Sequence, residues 1–314
     1  TQADDNVVIG YNSMGGGWTT ADVDECVSIG SGSMAGVLTT TASGSVSIGY
    51  NALAALTSGA GNVAIGYQAL SANTTGSNNL MIGYQTGVSA NDGNFSHNIG
   101  IGNYVFDGVA SGIDAQYNTA IGYASMSGVL TDAAHSNTAV GKDTLLALTS
   151  GAANVVIGSG AGSAMTDNDS NVVIGQTAFD AADSGENWNI VIGQDAGGAL
   201  NHGDSDSNIL IGVDAGSGGA AAMIGCIAIG KDSMNSTAAN AQTGTIAIGH
   251  DALTALTSGS GNTAVGYQCL DATDDGAVNT AVGYGSLSAN CGNGNTVLGY
   301  LAGQSVTGAF NTLI

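Results

Sequence analysis

Apolar and polar residues alternate within a five-residue block, Asn62-Val63-Ala64-Ile65-Gly66, that recurs with variations from Asn6–Gly10 to Asn295–Gly299 and once more, cut short, at Asn311–Ile314. There are eighteen such cores, with successive core glycines 16 to 20 residues apart. So short and slightly elastic a period is the mark of a solenoid. Position 4 of the block is always Ile, Val or Leu and position 2 is Val, Ile, Leu or Thr. β-Branched residues at every second place predict a short strand with positions 2 and 4 on one face. Position 3 points the other way and is never charged. A strand that is apolar on both faces is expected to be covered on both.

The expected assignment gives positions 2 and 4 to the interior of the coil. The predicted core is therefore Ile9, Ile65, Ile82, Ile121, Val140, Ile157, Ile174, Ile192, Ile211, Ile229, Ile248, Val265 and Val282. Position 3 then needs a neighbouring chain, which makes Val8, Ala64, Ala120, Ala139, Val156, Val173, Val191, Leu210, Ala228, Ala247, Ala264 and Ala281 the predicted intersubunit contact. After the core glycine comes a second segment such as Tyr67-Gln68-Ala69-Leu70, with Tyr, a polar residue and then a small one. It reads as a second strand with one wet side. Length varies mainly between this segment and the next core, in turn-rich stretches such as Thr57-Ser58-Gly59-Ala60-Gly61, which are expected to form outward loops. Asn occupies position 1 in fourteen of the eighteen cores and should stack into a ladder of side-chain amides.

Composition supports one repeat array over residues 1–314 rather than two globular domains. The chain has 52 glycines and no proline, which suits tight turns between strands that need every N–H. It opens just before a core and stops within one, as expected of a segment of a longer fibre. The formal net charge is −22, with only Lys142 and Lys231 as cations. Such a surface repels phosphate backbones, so nucleic-acid binding is not expected, and without a basic patch or a long apolar run neither is membrane binding or insertion. The four cysteines have no paired spacing and read as free thiols.

The pattern Asn-(Thr/Val)-Ala-(Ile/Val)-Gly-Tyr-x-Ala-Leu, best seen at Asn62–Leu70 and Asn262–Leu270, resembles the head repeat of YadA-type trimeric autotransporter adhesins and the related repeats of phage and bacterial tail fibres. The resemblance covers essentially the whole chain. It implies an all-β fold, a left-handed parallel β-roll (β-solenoid) of about eighteen coils, three of which pack as a homotrimer around a common axis. It also implies an extracellular setting, on a cell surface or in a virion fibre. The coils are longer than those of the adhesin heads and closer to the tail-fibre variety, and adhesin and fibre both stay open.

No constellation for catalysis is expected, because a narrow roll filled with Ile and Ala offers no pocket in which groups could converge. The histidines His97, His135 and His202 fall in loops, and His250 takes a Tyr place. Paired acids at Asp22 and Asp24, Asp167 and Asp169, Asp204 and Asp206, and Asp274 and Asp275 are the candidates for calcium, which prefers clustered oxygen ligands. No other cofactor is expected.

Three functions follow from this reading. The first is a structural or adhesive fibre segment whose polar loops meet a cell surface, glycan or matrix receptor. The second is a subunit that polymerises end to end into an extracellular filament. The third is a monomeric solenoid that binds a repeating ligand such as ice through Thr119, Thr138, Thr263, Thr280, Thr296 and Thr312. Sharing a face with position 4, those threonines are expected to lie inside, which counts against the third.

Overall fold

The computed structural model describes residues 5–17, 23–39, 41–91, 95–110, 112–131, 133–219, 221–236 and 240–314. The chain forms two compact units, Thr1–Ala153 and Asn154–Ile314. Each is a parallel β-solenoid, as the periodicity predicts.

In the first unit, eight three-residue strands run from Val7–Ile9 to Thr138–Val140, each at positions 2 to 4 of its core. They pair in parallel and in register, so that Val63 lies between Val46 and Leu80, and Ile65 between Ile48 and Ile82. The second unit repeats the arrangement from Val155–Ile157 to Thr312–Leu313. It adds a small parallel pair, Met223–Ile224 with Gln242–Thr243, where two loops are long enough to reach each other. Strictly matched register follows from the sequence: every core presents the same residue type at the same height, so a slip of one would turn each strand inside out.

The core glycine closes each strand. Its φ is large and positive, +139° at Gly66, and a Cβ there would stand 2.1 Å from the carbonyl oxygen of Gly83 in the next coil. Any side chain would push the coils apart at their closest approach, which explains why the position never varies.

Two expectations are corrected here. The first concerns the segment after the glycine, which is a turn and not a strand. Every second residue has positive φ, +55° at Gln68 and +49° at Leu70. Its N–H groups point alternately back and forward along the stack, Gln68 N donating to Tyr50 O and Leu70 N to Thr86 O, both at 2.9 Å. The alternation curls the chain so that Ala69 and Leu70, consecutive residues, are both buried. A strand with a period of two cannot do that.

The second correction inverts inside and outside. Ala64, Ala120, Ala139, Val156, Val173, Val191, Leu210, Ala228, Ala247, Ala264 and Ala281 lie within their own coils and are fully buried in the single chain. Only Val8, in the first described coil, is exposed. Conversely, the predicted core points outward: Ile9, Ile121, Ile157 and Ile248 are exposed, and Ile65, Ile82, Val140, Ile174, Ile192, Ile211, Ile229, Val265 and Val282 are only half-buried. Alternation fixes which residues share a face without saying which face is in. The interior decides: it already holds the buried Ala69 and Leu70 of the turn, together with loop residues such as Leu56. The space left beside them is narrow and takes one side chain per strand rather than two branched ones.

Beside this apolar filling runs the amide ladder. Asn118 N and Nδ2 donate to Asn98 Oδ1 at 2.9 and 3.2 Å, and Asn137 N and Nδ2 donate to Asn118 Oδ1 at 2.9 and 3.2 Å. The expected stacking of position 1 is borne out, with these side chains fully buried. In the first three cores the interior turns polar. Ser13, Ser28, Ser33 and Ser47 form a chain of hydroxyls with Oγ–Oγ distances of 2.8, 3.0 and 2.7 Å, ending on Ala52 O.

Candidate functional surface

No cleft or cavity exists among the described residues. On the surface, one face stands apart. Positions 2 and 4 of each strand project outward as two columns of Val, Ile, Leu and Thr without a charged residue in any core. Val155 and Ile157, at 37% and 38% exposure, are typical of its more open places. Between the first and last cores position 3 is covered from within, so each of those strands has one dry face and one bare one. A parallel sheet of β-branched residues with a bare face is unusual, since such sheets are ordinarily covered on both sides. Contiguous apolar surface of this kind marks an interaction site.

The six threonines of position 2 belong to this outer face, contrary to the expectation that they lie inside. Thr280, Thr296 and Thr312 are exposed, and Thr119, Thr138 and Thr263 half-buried. Next to the two columns stands a third, made by the exposed aromatic residues after the core glycine. Tyr50, Tyr67 and Tyr84 stack with ring centroids 5.3 and 5.0 Å apart, and in the second unit His250, Tyr267, Tyr284 and Tyr300 stack at 5.4, 5.1 and 5.4 Å. The ladder follows from the register, which sets one coil's ring over the next.

The candidate calcium ligands among the described residues form no group of three metal-capable side chains. Asp22 lies outside the described residues. Among the others, Asp167 Oδ1 accepts from Gly185 N at 2.9 Å and Asp206 Oδ1 from Asn187 N at 2.7 Å, so these carboxylates tie loops of adjacent coils together. Neither Asp24, Asp169, Asp204, Asp274 nor Asp275 joins a cluster of three metal-capable groups among the described residues. One cluster that the sequence reading missed does form: ligand atoms of Asp232, His250 and Asp251 lie within 4.8 Å of one another. It arises because register stacks the polar place after Tyr, and it is already engaged, Lys231 Nζ lying 2.5 Å from Asp232 and His250 Nδ1 2.9 Å from Asp251. The remaining histidines serve loops: His135 Nδ1 accepts from Gln116 N at 3.2 Å, and the His97 ring stacks on Tyr117 at 5.0 Å.

Glu186 is the one fully buried carboxylic acid among the described residues. Oε2 accepts from Asn168 Nδ2 at 2.6 Å, while Oε1 has no hydrogen-bond partner. Burial raises its pKa above the ordinary glutamate value, against the opposing effect of its hydrogen bonds, and Asp183 adds to the rise. Because the folded state holds this proton more tightly, the contribution to stability is complete below the unfolded pKa. It is lost as pH rises through the folded one. Glu186→Gln is expected to raise the melting temperature at pH 7, with a gain that shrinks toward pH 4. Thermal melts of both proteins across that range check it, and an equal shift at every pH would contradict it.

The four cysteines are unpaired, as expected, and all four are buried. Cys269 is the most affected, burial pushing its thiol up to about 12. That keeps it protonated and unreactive at neutral pH.

The class defined by these features is a parallel β-solenoid with an uncharged, β-branched outer stripe. No protein-family model matches the chain, and no curated protein matches it.

Proposed function

We propose that the protein is a non-catalytic structural segment of an extracellular fibre, in which copies of the chain associate through the outer columns of positions 2 and 4. The observation that carries this is the uncharged Val/Ile/Leu/Thr stripe, bare in the single chain and repeated in every core. Its rows recur at the spacing of stacked strands, about 4.8 Å. An occupant that matches such a surface row for row needs the same axial repeat, and another copy of the chain has it. The 24 acidic residues, absent from the stripe, stay in water when copies meet there. The resemblance to trimeric adhesin heads and tail fibres supports three chains per particle and polar loops turned toward a cell surface, glycan or matrix receptor.

Sedimentation equilibrium tests this reading. At micromolar concentration three chains per particle are expected. Ile65→Asp together with Ile229→Asp, both on the outer face, should leave a folded single chain, whereas Ala64→Asp, pointing inward, should unfold its coil. A wild-type monomer at that concentration would sink the proposal. The outward threonines favour a second reading in that event, a single solenoid whose Thr and Val columns order water or bind ice. Thermal hysteresis in dilute solution by the monomer would select it.

A further inference from the structure

The aromatic column has a chemistry of its own. In the first unit Tyr50, Tyr67 and Tyr84 are nearly parallel, with interplanar angles of 14° and 8°. Tyr104 and Tyr123 continue the column edge-on, at 68° and 75°. In the second unit the planes of Tyr267, Tyr284 and Tyr300 are inclined by 17° and 27°. All the parallel rings are exposed, from 39% at Tyr267 to 74% at Tyr300. None of the four cysteines is paired, so no disulfide joins the coils.

From this geometry we infer that the phenol ladder is a site of oxidative tyrosine coupling, forming dityrosine struts between successive coils. The co-reactant is a one-electron oxidant, of the kind a peroxidase generates from hydrogen peroxide. Two oxidant equivalents each remove one electron and one proton from neighbouring phenols. The two phenoxyl radicals then form a carbon–carbon bond between ring carbons ortho to oxygen. Each coupled ring passes its ortho proton to its own oxygen, with solvent as carrier, and both phenols are restored. The net change per strut is the loss of two hydrogen atoms, as two protons to solvent and two electrons to the oxidant.

The solenoid makes this selective. Register holds chosen rings together before any radical forms, and such preorganisation replaces a diffusional search. Parallel rings turn the face of one phenol toward the face of the next, the direction along which two ring radicals join, while edge-on rings aim an edge at a face. Coupling is therefore favoured at Tyr50–Tyr67, Tyr67–Tyr84, Tyr267–Tyr284 and Tyr284–Tyr300.

The test exposes the whole chain to horseradish peroxidase and hydrogen peroxide, natively and in concentrated urea. The expected native product shows dityrosine fluorescence, runs as a single chain on a denaturing gel, and gives linked peptides for those four pairs after pepsin digestion. Links at Tyr84–Tyr104 and Tyr104–Tyr123 should be several-fold rarer. In urea the pairs should scramble. Tyr67→Phe should abolish the first two links and spare Tyr267–Tyr284; Tyr284→Phe should do the reverse, so each unit controls for misfolding of the other. Absence of intrachain dityrosine, links only between chains, or the same set of pairs in the native and unfolded chain would each overturn the inference.

Discussion

Gly216→Leu is expected to destabilise the protein by about 1–3 kcal/mol or more through overpacking, and Leu210→Ala by about 2–5 kcal/mol through the cavity it leaves. The double variant should recover most of both losses. The reason lies in how position 3 and the residue six places later share one compartment. A Cβ on Gly216 would stand 2.5 Å from Leu210 Cδ2, and one on Gly197 3.4 Å from Val191 Cγ1. Where position 3 is large, as at Met81, Val156, Val191, Leu210 and Val297, the partner is Gly87, Gly162, Gly197, Gly216 or Gly303. Where it is small, as at Ala64, Gly100, Ala120, Ala139 and Ala247, the partner is Leu70, Phe106, Met126, Leu145 or Leu253. The variant leucine at 216 needs positive φ, which Leu70 and Leu253 already adopt in the same place. Urea melts of the two single variants and the double would measure the coupling. Simple additivity would show that the two side chains do not compete for one space.

The same compensation shows where sequence reading stopped. Period, strand positions, register and the amide ladder were all legible, because each depends on residue type at fixed spacing. The inward face was not, since alternation of Val63, Ala64 and Ile65 is symmetric with respect to in and out. The signal that breaks the symmetry was present as paired sizes: Ala64 with Leu70, Leu210 with Gly216. Size exchange at a separation of six places both residues in one interior. Two pairs depart from the rule: Val8 with Met14, where Val8 is exposed in the first coil, and Val173 with Phe179, which the neighbouring coils explain. Phe179 spreads over space vacated by Gly197, whose added Cβ would meet its ring at 3.1 Å. The turn after the core glycine was missed for a different reason. Its alternation of polar and small residues imitates a strand, and the positive φ values at Gln68 and Leu70 that make it a turn fall on residue types with no special liking for them.

Asn118→Ala is expected to cost roughly 2–6 kcal/mol, because it strands two or more buried backbone groups at about 1–3 kcal/mol each. Asn118 Nδ2 also donates to Ala134 O at 2.8 Å, and its Oδ1 receives Asn137 N. Deletion removes the donor to one carbonyl and the acceptor for one N–H in a region closed to water. Asn118→Asp should be worse at neutral pH, since it keeps the acceptor but places a carboxylate against Asn98 Oδ1 and Ala134 O. Its penalty should fall as pH drops and the acid takes up a proton that can donate in place of the amide. Positions where the ladder is naturally interrupted show what a substitute must provide. At Cys26 the backbone N–H still donates to Asn6 Oδ1 at 2.8 Å, and at Ser45 the hydroxyl accepts from Asn62 N at 3.2 Å. Asn118→Ser should accordingly be milder than alanine, because a hydroxyl at this place can take the next coil's N–H. Melting temperatures in the order wild type, Ser, Ala, Asp at pH 7 would establish the ladder as the polar spine of the solenoid. If alanine matched wild type, the stacked amides would be passengers of the backbone ladder and stability would rest on the small-with-large interior alone.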